Sequence, residues 1–237
     1  ATLPHPNALP MYGYLLLEEL QAVYSDKNLT PIGRKLVRLP VDPRIGRMLL
    51  QADREGSLHE VLIIASALSV QDPRLRPMDM QQKADEKHRI FADPTSDFLS
   101  WLKLWTWSHN EARPLSRSKL RKLCQSQFIS YIRLPEWHDL HGQLLALVRE
   151  MKMTPNKKEA TGDEIHRALL AGLLSHVGLY DDEKRHYLGS RGLKFSIFPG
   201  SALFKKPPKG VVCGELVETT RLYGRSAAAI NPAWLEQ

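Results

Sequence analysis

The chain has 237 residues, of which 43% are hydrophobic and 25% charged, with a formal net charge of +7 and a pI near 9.4. Apolar content of that size excludes a disordered chain, and the lack of any run of about 18 apolar residues excludes a membrane-spanning helix. The basic surplus favours a polyanionic partner, nucleic acid first among them.

Two cysteines, Cys124 and Cys213, are too few for a zinc site or a disulfide framework and read as buried, reduced thiols. The chain starts at Ala1-Thr2-Leu3-Pro4 without an initiator Met or a basic-then-apolar signal pattern. It reads as a fragment of a cytoplasmic protein.

In chain order, Tyr14 to Val23 carries Leu16, Leu17, Leu20 and Val23 at helical spacing. Thr30 as N-cap and Pro31 at the first helical position open a second helix that Pro40 ends. Asp42-Pro43 begins a third, which stops at Gly56. Ser57 and Glu60 have the spacing of a capping box ahead of Val61 to Val70, whose nearly continuous apolar character predicts a buried central helix. Gln71 to Met78 holds two prolines and reads as a loop. Helices are predicted near Gln81 to Phe91, over Ser96 to His109 and over Ser116 to Leu134, the last presenting Leu120, Leu123, Phe128, Ile129 and Ile132. A further helix starts at Pro135. A polar stretch, Thr154 to Thr161, is the expected domain boundary, and another helix follows from Asp163 to Val177. From Tyr187 onward glycines and prolines punctuate short strands: Leu193 to Phe198, Gly210 to Val217 and Arg221 to Ile230. Four or five short strands in so few residues predict a small barrel, for which the OB-fold is the commonest form.

Catalytic patterns are sparse. Asp163-Glu164-Ile165-His166 is a DExH string, which in helicases holds magnesium and orients water. It needs a buried strand before it and a phosphate loop upstream. A polar loop precedes it and no GxxxxGK[ST] occurs, so its acidic residues read as the favourable first turn of a helix. His138 and His141 lie three apart with no carboxylate or cysteine cluster to complete a metal site. The fragment is expected to be no enzyme and to carry no cofactor or metal.

The basic residues say more. Arg113 to Arg133 holds six cations, among them Arg117, Arg121 and Lys122, and no acidic residue; this is either a nucleic-acid face or an ordinary solvated helix face. The barrel region holds Lys194, Lys205, Lys206, Arg221 and Arg225 near Tyr223, Phe195 and Phe204. Cations that track phosphates beside rings that stack on bases are what single-stranded nucleic acid requires. Phe195 and Phe204 are expected to fill the barrel, with Tyr223 open to either role.

Leu29-Thr30-Pro31-Ile32-Gly33-Arg34 followed by Leu39-Pro40-Val41-Asp42-Pro43-Arg44 resembles the winged-helix to ratchet junction of DEAH-box RNA helicases. Ile64 to Gln71 is similar to that family's central ratchet helix, and Ile197-Phe198-Pro199-Gly200-Ser201 with Glu215 to Thr220 to its OB-fold. Asp72-Pro73-Arg74-Leu75-Arg76-Pro77 resembles the bacterial HrpA group most closely. The resemblance implies an α+β multidomain chain, a ratchet-like helical bundle followed by a small OB-fold β-barrel. Its parts would be a winged-helix remnant (1–40), a ratchet (41–155), and a linking helix with the OB-fold (156–237). It further implies single-stranded RNA as ligand, the helicase's own RecA-like motor as partner, ATP and magnesium in the full-length enzyme, and 3′-to-5′ unwinding. Links to the ribosome or messenger RNA come from the family alone. The competing reading is a stand-alone RNA-binding or protein-interaction adaptor without a motor.

Overall fold

The computed structural model describes residues 9–236, with side chains from residue 13; the Ala1 to Pro4 start, and with it the first part of the 1–40 unit, lies outside them. Nine α-helices precede five strands among these residues. The helices are α1 (Leu9–Glu19), α2 (Pro31–Val37), α3 (Pro43–Glu55), α4 (Leu58–Leu68), α5 (Gln81–His88), α6 (Asp97–Trp107), α7 (Arg117–Ser126), α8 (Arg133–Glu150) and α9 (Gly162–Ala171). The strands are β1 (Val177–Asp181), β2 (His186–Gly189), β3 (Lys194–Ile197), β4 (Gly210–Glu218) and β5 (Leu222–Ala229).

Local chemistry sets several boundaries as expected. Thr30 Oγ1 accepts the Gly33 amide and Pro31 takes the first position of α2. Gly56 ends α3 at φ 73°, the left-handed region where a β-carbon is costly. α4 is buried along nearly its whole length, and Trp137 of α8 donates its indole N–H to Ser66 Oγ at 3.0 Å and to Ile63 O at 3.2 Å. Trp101 and Trp105 of α6 meet the same indole edge-on at 5.4 and 5.0 Å.

Four expectations are corrected. Ser57 and Glu60 make no capping box: Ser57 Oγ donates to Glu164 O at 3.2 Å, and the Glu60 carboxylate accepts Asn156 Nδ2 at 2.6 Å and the Ala160 amide at 3.3 Å. Both are buried: Glu60 meets the returning 151–161 connection and accepts its polar donors, while Ser57 donates to a backbone carbonyl of α9. The helix expected to reach Leu134 stops at Ser126. Phe128 turns to φ 53°, and residues 128–130 pair instead with the proline-rich loop, through Leu75 N to Phe128 O at 2.7 Å and Ser130 N to Pro73 O at 2.6 Å. Ile132 is thereby left 70% exposed. The helix predicted to Val177 ends at Ala171 with Gly172 as its cap, packed so close to Arg44 O that a Cβ would sit 2.4 Å away, and Val177 already belongs to β1. Phe204 does not fill the barrel: it is 48% exposed in the β3–β4 loop, whereas Phe195 is buried.

The strands close in the order β1-β2-β3-β5-β4, with β3 and β5 parallel and the other neighbours antiparallel. Alternation assigns their faces. Val211, Cys213 and Ala227 point into the barrel with Tyr187, Phe195 and Ile197, while Val212 and Ala228 join the helical core. β4 is therefore apolar on both faces at its start, which is why Val211-Val212-Cys213 reads as an unbroken apolar run. Both thiols are buried, and burial pushes them up, away from thiolate.

Candidate nucleic-acid interface

The loop between β3 and β4 carries Lys205 and Lys206, and it is held at both ends. Near its start, Ser201 Oγ and the Ala202 amide donate to the Asp97 carboxylate of α6 at 2.5 and 3.1 Å; near its end Pro208 O accepts the Tyr187 hydroxyl at 2.6 Å. Asp97 also accepts the Ala227 amide of β5 at 2.8 Å. Two residues back, Thr95 O accepts the Ala229 amide at 3.0 Å, and one residue back, Ser96 Oγ meets His166 Nε2 at 2.6 Å. The start of α6 thus ties the barrel to the helices, and burial holds the Asp97 carboxyl above the usual carboxylate range.

Lys194, Lys205, Lys206, Arg221 and Arg225 are all exposed, and none joins an ion pair within 4.0 Å among the described residues. Lys194 starts β3, opposite Leu188 of β2, and Arg221 lies in the β4–β5 turn. Tyr223 and Arg225 follow on β5 along the parallel β3–β5 seam, where Ser196 pairs with Tyr223 and Ile197 with Gly224. The β2–β3 face and the β1–β2 and β4–β5 loops are where OB-folds meet nucleic acid. Tyr223 is half-buried and edge-on to Phe198, with centroids 6.1 Å apart. Arg225 lies over the Phe198 ring at 4.4 Å. Phe198 was no sequence candidate; its signal was an aromatic residue at the end of a strand running into Pro199-Gly200.

The α7 cations form a separate surface. Leu120, Leu123 and Cys124 turn inward, leaving Arg117, Lys119, Arg121 and Lys122 exposed. Arg117 donates from Nε to Tyr131 Oη at 2.8 Å, while Arg121 and Lys122 make no side-chain hydrogen bond or ion pair among the described residues.

The DExH string serves structure. Thr161 Oγ1 accepts the Glu164 amide and Glu164 accepts the Thr161 amide, a reciprocal cap that opens α9. His166 is buried between Ser96 and Gly162 O. These residues do not fit a nucleotide-bound magnesium. The histidines conceal an arrangement that spacing alone did not reveal: His138 stacks on Trp105 at 4.7 Å and on His109 at 4.8 Å, with His141 4.5 Å from Trp105. Desolvation, with His109, Arg113 and His141 nearby, lowers His138 to about 4; desolvation with His59 and His109 does the same to His141. Among the described residues no His, Cys, Asp or Glu group could hold a metal ion, and no helix is long and apolar enough to cross a membrane.

A ratchet-like helical body tied to a five-stranded OB barrel with exposed cations on its rim defines an accessory module of a helicase. The chain matches the helicase-associated (HA2) winged-helix domain over residues 14–41, the ratchet-like HA2 domain over 42–102 and an oligonucleotide/oligosaccharide-binding (OB) fold over 165–237. It combines three matched domains that are together those of an accessory module of such a helicase. It is 52% identical over 94% of its length to the ATP-dependent RNA helicase HrpA of Escherichia coli, and 48% identical over 94% to the HrpA homolog of Haemophilus influenzae. It is 27% identical over 98% of its length to the human probable ATP-dependent RNA helicase DHX35. The chain spans 18% of the two bacterial relatives and 32% of the human one.

Proposed function

We propose that this module grips single-stranded RNA and forms one wall of an RNA tunnel whose other wall is a RecA-like motor. The observation that supports it is the barrel rim: exposed cations without an ion pair among the described residues, Lys194 on the β2–β3 face and Arg221 in the β4–β5 loop where OB-folds meet nucleic acid, with Lys205 and Lys206 on the β3–β4 loop clamped at both ends. The cations neutralise phosphates and displace condensed counterions, so binding is independent of sequence and sensitive to salt. With one wall present, binding is weak.

In this reading the full protein couples ATP hydrolysis, with magnesium, to 3′-to-5′ unwinding in the cytoplasm on messenger RNA or ribosomes. ATP and magnesium belong to the motor. The three parts 1–40, 41–155 and 156–237 belong to the same reading. Fluorescence anisotropy of the chain with an unstructured single-stranded RNA at several salt concentrations tests it. Log affinity should fall linearly with log salt, by about 0.7 per phosphate contact; no binding at the lowest salt rejects RNA as the ligand of this chain.

A further inference from the structure

On the seam between β3 and β5 the Arg225 guanidinium lies over the Phe198 ring, 4.4 Å from Cζ to the centroid. Its cross-strand neighbour on β4 is Glu215, a carboxylate within reach of a long side chain. Yet the two make no ion pair among the described residues. The guanidinium lies on the ring rather than against the acid.

The ring is itself fixed. Tyr223 meets it edge-on at 89°, the Phe198 amide donates to Gly224 O at 2.9 Å, and a β-carbon on Gly200 would come within 2.8 Å of Phe198 Cε1. Position 200 therefore has to be glycine for the ring to sit as it does. Ser226, next to Arg225, is at φ 54°, a left-handed conformation that is strained for a non-glycine residue and collects at ligand clamps. Arg225 is exposed even as its guanidinium lies over Phe198, so it stays accessible to a ligand from solvent.

We propose that Arg225, held over Phe198, is a stacking platform for one nucleobase of a bound single strand and not a phosphate contact. This rests on the reading of the barrel as RNA-binding, and it separates Arg225 in role from Lys205 and Lys206. A guanidinium already held on a ring loses little freedom when a base stacks on it, and base stacking tolerates any sequence because every base has a π-face. A lysine keeps the charge and loses the plane.

The test compares wild type, Arg225→Lys and Phe198→Leu by anisotropy on two labelled strands: an unstructured RNA dodecamer and an abasic strand of equal length and charge. On the RNA, Arg225→Lys should weaken binding by about five- to a hundred-fold, the worth of one stacked base, with an unchanged salt slope. Phe198→Leu should weaken it in the same direction, with thermal melts checking the fold. On the abasic strand wild type and Arg225→Lys should bind alike. Arg225→Lys binding RNA like wild type, or losing equally on both strands, overturns the platform and leaves the RNA reading standing. No RNA binding by wild type at low salt removes both.

Discussion

The Ser201 hydroxyl donates to the half-buried carboxylate of Asp97 at 2.5 Å, joining a loop of the barrel to the first turn of α6. The same carboxylate takes the Ala202 and Ala227 amides, so one side chain fixes both the β3–β4 loop and strand β5. Asp97→Ala leaves these donors without an acceptor, a loss of about 1–3 kcal/mol. Urea unfolding should show it, with Ser201→Ala costing less. An Asp97→Ala midpoint equal to wild type would mean that the latch contributes nothing.

Glu60 and Ser57 provide a second stability test. As a capping box they would be equivalent, each costing about 1 kcal/mol on removal. Their actual partners differ: Glu60 is acceptor for Asn156 and Ala160, while Ser57 donates once to Glu164 O. Glu60→Ala should therefore cost more, ~1–3 kcal/mol, and Asn156→Ala in the Glu60→Ala background should add only the loss of its remaining bonds, from the His59 amide and to Lys158 O. Equal, small effects of Ser57→Ala and Glu60→Ala would restore the cap.

The histidine stack makes stability depend on pH. His138 and His141 titrate at about 4 in the folded chain, against an ordinary 6.5. Between these values the unfolded chain binds more protons than the folded one, so stability rises with pH in this window. It is full above about pH 6.5 and falls as pH drops toward 4. Thermal melts should show a falling Tm over that range, flattened in His138→Gln/His141→Gln. A double variant with the wild-type pH slope would assign the effect to other groups.

How much of this was legible follows the range of each interaction. Thr30, Asp42-Pro43 and Gly56 act within one turn, so their helix ends could be read from neighbours. Ser57 and Glu60 carry a local signal overridden by partners about a hundred residues away. Phe128 broke its helix for the same reason, to pair with residues 73–75. At the interface the cations were visible as charges. The Phe198 ring was not, because what singles it out is Arg225 across a parallel seam that forms only on barrel closure.

Asp163 and Glu164 open α9, and no phosphate loop occurs in the chain. The chain should therefore show no RNA-stimulated ATP turnover in a coupled phosphate-release assay. Turnover that disappears on Glu164→Gln would contradict this.

The central claim is that the barrel rim, rather than the α7 face, holds RNA. Its most direct test is anisotropy with an unstructured RNA across a salt series, comparing Lys205→Ala/Lys206→Ala with Arg121→Ala/Lys122→Ala. The first pair should weaken binding to every sequence and flatten the salt slope by up to about 1.4, two phosphate contacts' worth; the second should leave both near wild type. Wild-type binding by the Lys205/Lys206 variant, with binding abolished in the Arg121/Lys122 variant, would move the RNA to α7 and contradict the account.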